Sequence, residues 1–320
     1  MFADLVSIFT DNALLFVGFV FVIGLLVGSF LNVVIYRLPI MLDREWRAEA
    51  ADLVQTSPTA VALAPVAPVA PVAPVAPTAG SAPDFNLLRP RSACPACSAP
   101  ITAWQNVPVL SWLVLRGRCA ACRARISARY PSGELATAVL SAAGAWHFGV
   151  TTGAACALLL TWALIALTGI DIDHQLLPDD ITLPLLWAGL LAAVVIGPHA
   201  GVALPVAPRD AILGAVAGYG SLWLVYHAFK LFTGKEGMGR GDFKLYAALG
   251  AWLGWKVLPL VILLSAAPGA ILGIAMIALR GRDRAAPMPF GPYLAAAGWI
   301  AMLYGDTLIG GYLHVAGLRP

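Results

Sequence analysis

The sequence predicts an all-α polytopic membrane protein of about eight transmembrane helices, with a small cytoplasmic zinc-ribbon-like insertion. Three observations predict it. Only 12% of the 320 residues are charged and 60% are hydrophobic, where ordinary soluble domains carry about 25% charged residues; the mean hydropathy is +0.81. Several apolar runs exceed the roughly 18 residues that mark a spanning helix, and none of the short alternating segments of a membrane barrel is present, so helices must satisfy the backbone in hydrocarbon. Two Cys-x-x-Cys pairs stand in the one long polar region.

The first apolar run, Ala13 to Ile35, carries Gly24-x-x-x-Gly28, a spacing that lets another helix approach closely. No cleavable signal peptide is expected, because the N-terminus lacks a basic region and this run is too long for a signal core. Arg37 is expected to stop the helix at an interface, and Pro39 to discourage its continuation. A polar region follows, residues 38–132. Within it, Leu42 to Leu53 reads as a short amphipathic helix, and the Pro-Val-Ala-rich stretch 57–83 as an extended spacer that builds no core.

Cys94-Pro-Ala-Cys97 and Cys119-Ala-Ala-Cys122 have the ribbon spacing for tetrahedral zinc, with a redox dithiol pair or vacant thiols as the competing readings. Trp104 to Trp112 between them supplies apolar packing to a unit too small to fold on its core alone. Cys156, inside an apolar run, reads as a small core residue. The remaining spans are expected at Gly133–Val150, Thr152–Ile170, Ile181–Ile196, Asp210–Phe232, Asp242–Leu258, Pro259–Leu279 and Phe290–Tyr312.

Ten of the twenty basic residues, all Arg, fall between Arg37 and Arg129, so that region is expected on the cytoplasmic side. Alternation then puts both termini outside the cytoplasm, and places Asp171 and Asp242 at the cytoplasmic face at similar depth. A carboxylate at the mouth of an apolar helix is costly and so a functional candidate. Two that approach within a few ångströms share one proton: the ionised one activates water and the protonated one polarises a carbonyl. Gly239 and Gly241 are expected to let an extended substrate backbone approach Asp242. Helix capping and ion pairs with Arg240 or Lys244 compete with this reading. Asp173 competes with Asp171, Asp179 and Asp180 read as helix caps, and His174 reads as interfacial. The net charge of +3 makes no case for a nucleic-acid partner; membrane lipids are the expected surroundings.

Gly28-Ser-Phe-Leu-Asn-Val-Val-Ile-Tyr-Arg-Leu-Pro39, the two Cys-x-x-Cys pairs, Ile126-Ser-Ala-Arg-Tyr-Pro131, Asp171-x-Asp-x-x-x-Leu-Pro-Asp179 and Gly239-x-Gly-Asp242 occur in one order. In this the sequence resembles the type IV prepilin peptidases, the bifunctional leader peptidases/N-methyltransferases of bacterial inner membranes. The resemblance implies an aspartic protease with Asp242 and Asp171 as its catalytic pair and Asp173 as the alternative to Asp171. The implied substrates are prepilins or type II secretion pseudopilins, cut at the cytoplasmic face and then N-methylated from S-adenosylmethionine. The cysteine-containing loop is associated with methylation and metal binding. The chain would divide into a first transmembrane helix (1–37), a cytoplasmic loop domain (38–132) and a transmembrane peptidase domain (133–320). Basic leaders would be attracted by Asp173, Asp179, Asp180 and Glu236. An ion- or proton-coupled transporter, with the Asp residues as a relay, and a non-catalytic scaffold that binds through the cysteine loop are the other classes to weigh.

Overall fold

The computed structural model describes residues 2–56, 85–198, 204–235, 237–280 and 289–318. Among them no strand forms, and the architecture is helical. The elements are α1 (Phe2–Asp11), α2 (Ala13–Thr56), a 3-10 turn (Ala103–Asn106), α3 (Leu110–Val114), α4 (Arg129–Phe148), α5 (Thr152–His174), α6 (Asp179–Val195), α7 (Pro208–Thr233), α8 (Arg240–Leu253), a second 3-10 turn (Trp255–Val257), α9 (Leu258–Arg280) and α10 (Gly291–Val315). Each apolar run read from the sequence falls essentially in one of these helices except Asp242–Leu258, which is split between α8 and the second 3-10 turn. Four stretches among the described residues are long and apolar enough to cross a membrane: Ala13–Leu53, Thr152–His174, Pro208–Thr233 and Trp255–Ala275. The Pro-Val-Ala spacer and Glu236 lie outside the described residues.

Pro39 does not end the first helix, as the sequence suggested it would. The helix runs on to Thr56 with Pro39 inside it and absorbs the expected amphipathic segment. An interior proline costs roughly 3 kcal/mol, and packing on both sides of it offsets that cost. Val34 and Leu38 bury against Ile170 of α5, with Ile35, Leu42 and Leu176 around them. Arg37 does not stop the helix either; it is buried, and its guanidinium donates to the backbone carbonyls of Asn86 at 2.9 Å and Pro90 at 2.7 Å.

The centre of the molecule is α8. At 14 residues and about 1.5 Å per residue, it is shorter than the roughly 30 Å hydrocarbon layer, and it stops at Leu253 rather than at Leu258, because Gly254 takes up a φ of +80°. From Asp242 to Leu253 every residue except Lys244 is buried. Small residues make this possible. Gly250 of α8 and Gly214 of α7 bring their backbones together, and a side chain at either would collide with the other's carbonyl. Trp252 lies on Gly189 of α6 and donates its indole N–H to the Leu185 carbonyl at 2.8 Å; Leu249 lies on Gly298 of α10. Close helix approach through glycine is the packing expected where there is no hydrophobic drive between helices in lipid. The Gly24/Gly28 pair works in the same way: an added Cβ would sit 2.7 Å from the Cα of Ala138 or of Glu134 in α4.

Candidate active site and cysteine centre

Three helix ends converge around Asp171 and Asp242. Asp171 occupies the last turn of α5, which the left-handed Gln175 closes by donating its N–H to the Asp171 carbonyl at 2.9 Å. Asp242 lies in the first turn of α8, behind the N-cap Gly239. The start of α10 completes the site: the Gly291 N–H donates to Asp171 Oδ2 at 2.9 Å. Both carboxylates are buried, at 5% and 6% exposure, and close enough for each charge to feel the other. The positive ends of α8 and α10 both point at them.

Leu177 holds this arrangement together. A Cβ at Gly241 would sit 2.7 Å from Leu177 Cβ, and one at Gly291 would sit 3.1 Å from Leu177 Cδ2 and 2.7 Å from Asp171 Oδ2. The Cβ position of Gly241 is therefore filled by the protein's own leucine, and Gly241 itself is half-buried. Gly239 differs: it is exposed, and an added Cβ would meet only the Asp242 carboxylate, at 3.4 Å.

The rival acidic residues have other partners. Asp173 is paired in bidentate fashion with Arg129, at 2.7 and 2.6 Å, which ties the end of α5 to the start of α4. Lys244, one of the competing partners considered for Asp242, instead holds both Asp179 oxygens at 2.6 and 2.7 Å. Asp179 and Asp180 are the first residues of α6 behind Pro178, which makes no side-chain cap, so they complement the helix dipole rather than cap it as expected. His174 is exposed. Sequence reasoning missed Gly291 and Leu177. The available signal for Gly291 was Pro289-Phe-Gly-Pro292 at the head of the last apolar run, a helix start placed as closely behind a turn as Gly239 is.

The four paired cysteines meet, and their thiol sulfurs all lie within 4.8 Å of one another. The two knuckles repeat each other. Cys94 N–H donates to Ala99 O and Ser98 N–H to Cys94 O; Cys119 N–H donates to Ala124 O and Arg123 N–H to Cys119 O. Ser98 and Arg123 both take up a positive φ, and each knuckle closes with one bridge, Ala93 to Pro100 and Arg118 to Arg125. Trp112 lies over Gly117 and donates its indole N–H to Ile126 O at 3.2 Å, which anchors the second knuckle. A tetrahedral site with metal–sulfur bonds of about 2.3 Å needs sulfurs about 3.8 Å apart, and Cys94 Sγ and Cys122 Sγ are 3.8 Å apart. The N–H groups of Cys122 and Ala121 pull the Cys119 thiol down to about 6. The Ala99 N–H acts in the same direction on Cys97, but the other thiols, Cys122 first, hold that thiol up at about 11. The donor set and spacing fit zinc. Cys156 is buried in α5, apart from this group.

Residues 22–148 match the bacterial peptidase A24 N-terminal domain, and residues 158–274 match the type IV leader peptidase family. A prepilin leader peptidase/N-methyltransferase of Stutzerimonas stutzeri is 51% identical over 98% of this chain and 99% of its own length. Proteins of the same name are 53% identical in Aeromonas hydrophila, over 93% of this chain and 94% of that protein, and 50% identical in Pseudomonas aeruginosa, over 98% and 99%. The chain belongs to the prepilin leader peptidase/N-methyltransferase family. That family is one of aspartic proteases, and the transporter reading finds no support in it. No solved structure matches the chain.

Proposed function

We propose that this protein is a membrane aspartic endopeptidase that removes the leader of type IV prepilins or pseudopilins and then N-methylates the new N-terminal residue. The observation that carries the reading is the approach of Asp171 to Asp242, both buried where α5 ends and α8 and α10 begin. Two carboxylates in such a site hold one proton between them, so the pair carries a single negative charge, and the two helix N-termini stabilise it. We assign the charge to Asp171, which takes the Gly291 N–H. Asp171 deprotonates the attacking water while Asp242 donates its proton to the scissile carbonyl oxygen; the resulting gem-diol collapses with proton return to the leaving amine. Gly239 is the open side along which the peptide approaches.

The prepilin presents a polar leader followed by an apolar helix, so its scissile bond arrives at the membrane surface, where these helix ends would lie. In our reading α2 and α4 to α10 make the eight crossings of the inner membrane. The short α8 is sheathed by α6, α7 and α10, and both chain ends face the periplasm. The domain division at residues 37 and 132 keeps the cysteine loop cytoplasmic. Of the residues named to attract a basic leader, Asp180 is exposed, whereas Asp173 and Asp179 are held in ion pairs with Arg129 and Lys244 and would first have to exchange those partners; Glu236 lies outside the described residues. Cys94, Cys97, Cys119 and Cys122 would hold a zinc ion that ties the loop into one fold. S-adenosylmethionine is the expected methyl donor, and no residue is assigned to it.

Cleavage of a prepilin in membranes tests the reading directly. Asp171→Ala and Asp242→Ala should each lose activity by about 100-fold or more, as expected for removal of a general acid or base, whereas Asp173→Ala should keep most of it. Full activity in either of the first two would remove that residue from the pair.

A further inference from the structure

The cysteine-loop domain carries an apolar face that its own fold leaves uncovered. In α3 the indole of Trp112 turns inward onto Gly117 and Ile126, while Leu110, Leu113 and Val114 turn outward at 61%, 56% and 73% exposure. Trp104 and Val107, just before α3, are also exposed. A ridge of five large apolar side chains on so small a unit marks an interaction site rather than a solvated surface.

Two observations say what covers it. The first is depth. The Val109 N–H, at the cap of α3, donates to Glu134 Oε2 at 2.7 Å. Glu134 is buried, with its Cα against Gly28, inside the apolar run of α2. Val109 holds a φ of +60° to make this contact, a strained geometry for a β-branched residue. The start of α3 is therefore pinned, through Glu134, beside the hydrophobic part of α2, which sets the exposed side chains of this short helix near the edge of the hydrocarbon layer. The second is charge. Between residues 85 and 133 there are seven Arg and no Asp or Glu; Arg116 and Arg118 directly follow α3, and Arg89, Arg91, Arg123 and Arg125 are exposed as well. An apolar ridge at the membrane edge with an unbalanced basic rim fits an anionic lipid surface.

We propose that α3, with Trp104 and Val107, dips into the cytoplasmic leaflet and that Arg116 and Arg118 hold anionic phospholipid headgroups there. The cysteine centre is thus seated on the bilayer beside the peptidase half instead of hanging in the cytoplasm. The inference rests on the proposed orientation of the loop and not on the peptidase chemistry, and its readout is independent of cleavage.

The test uses the full-length protein in nanodiscs of phosphatidylcholine, with or without phosphatidylglycerol, that contain lipid with a nitroxide on the acyl chain. A fluorescent amino acid replaces Leu113, and in separate proteins Leu15, exposed within the first span, or Arg47, exposed beyond it. Position 113 should be quenched nearly as strongly as position 15 and severalfold more than position 47. Phosphatidylglycerol should increase the quenching at 113, and Arg116→Gln with Arg118→Gln should abolish that increase while position 15 is unchanged. Quenching at 113 no greater than at 47 overturns the proposal. Quenching indifferent to both phosphatidylglycerol and the two arginines overturns its headgroup part. If position 113 becomes shielded only when prepilin is added, the occupant is the substrate and the lipid assignment falls.

Discussion

Gly291 donates its backbone N–H to Asp171 Oδ2 at 2.9 Å across 120 residues of chain, so the start of the last helix sets the position of a carboxylate at the end of the fifth. A side chain has no room at that point, since the first carbon of one would lie 2.7 Å from the same oxygen.

Gly291→Ala should therefore lower kcat for prepilin cleavage with little change in KM, because it displaces Asp171 without touching the face along which the substrate approaches. A displacement of about 1 Å costs on the order of 100-fold in rate. Steady-state cleavage assays in detergent or nanodiscs would show this split. Equal kcat in the variant would mean that the contact does not position the carboxylate.

Gly241 and Leu177 make a second, reciprocal test. Gly241→Ala forces a Cβ against Leu177 Cβ, an overpacking worth about 1–3 kcal/mol. Leu177→Ala on its own opens a void beside the pair. The two substitutions together should recover more activity and thermal stability than Gly241→Ala alone, a non-additivity measured by a double-mutant cycle.

The bond between Arg129 and Asp173 is predicted to matter modestly. It is partly exposed, with side chains 55% and 27% accessible, and such pairs contribute about 0–1 kcal/mol. Asp173→Asn and Arg129→Gln should each lower stability slightly, with coupling detectable in a thermal melt, while peptide cleavage stays within a few-fold of the parent. A loss in Asp173→Asn as deep as that in Asp171→Ala would return Asp173 to the catalytic pair.

The cysteine centre should bind one zinc ion per chain, measured by metal analysis of the purified protein. Cys94→Ser should lose most of it. Affinity should fall with acidity: the ligands bind as thiolates, so protons compete more strongly as pH drops. Metal retained unchanged after Cys94→Ser would disprove the four-cysteine assignment.

Gly214 and Gly250 touch backbone to backbone, so Gly250→Val should reduce the yield of folded protein, whereas a change at Gly220, where an added Cβ meets nothing within 4 Å, should not. Expression levels and melting temperatures of the two variants would show the contrast.

The sequence by itself determined the helical membrane class, most of the runs that became helices, the four cysteines and the acidic candidates at the helix mouths, Asp242 with either Asp171 or Asp173. These are local or compositional properties: hydrophobic length, Cys-x-x-Cys spacing, and an acidic residue that nothing but a site or a cap explains. Only the tertiary structure gave Asp171 and Asp173, two residues apart on the same turn, their different partners, Gly291 for the first and Arg129 for the second. It also carried α2 through Pro39, since the helix there is held by Ile170 and the 86–90 backbone rather than by local propensity. Gly241 was read from the sequence as a place of close approach, and the packed chain shows Leu177 against it: a glycine announces that something comes close, and only the fold says what.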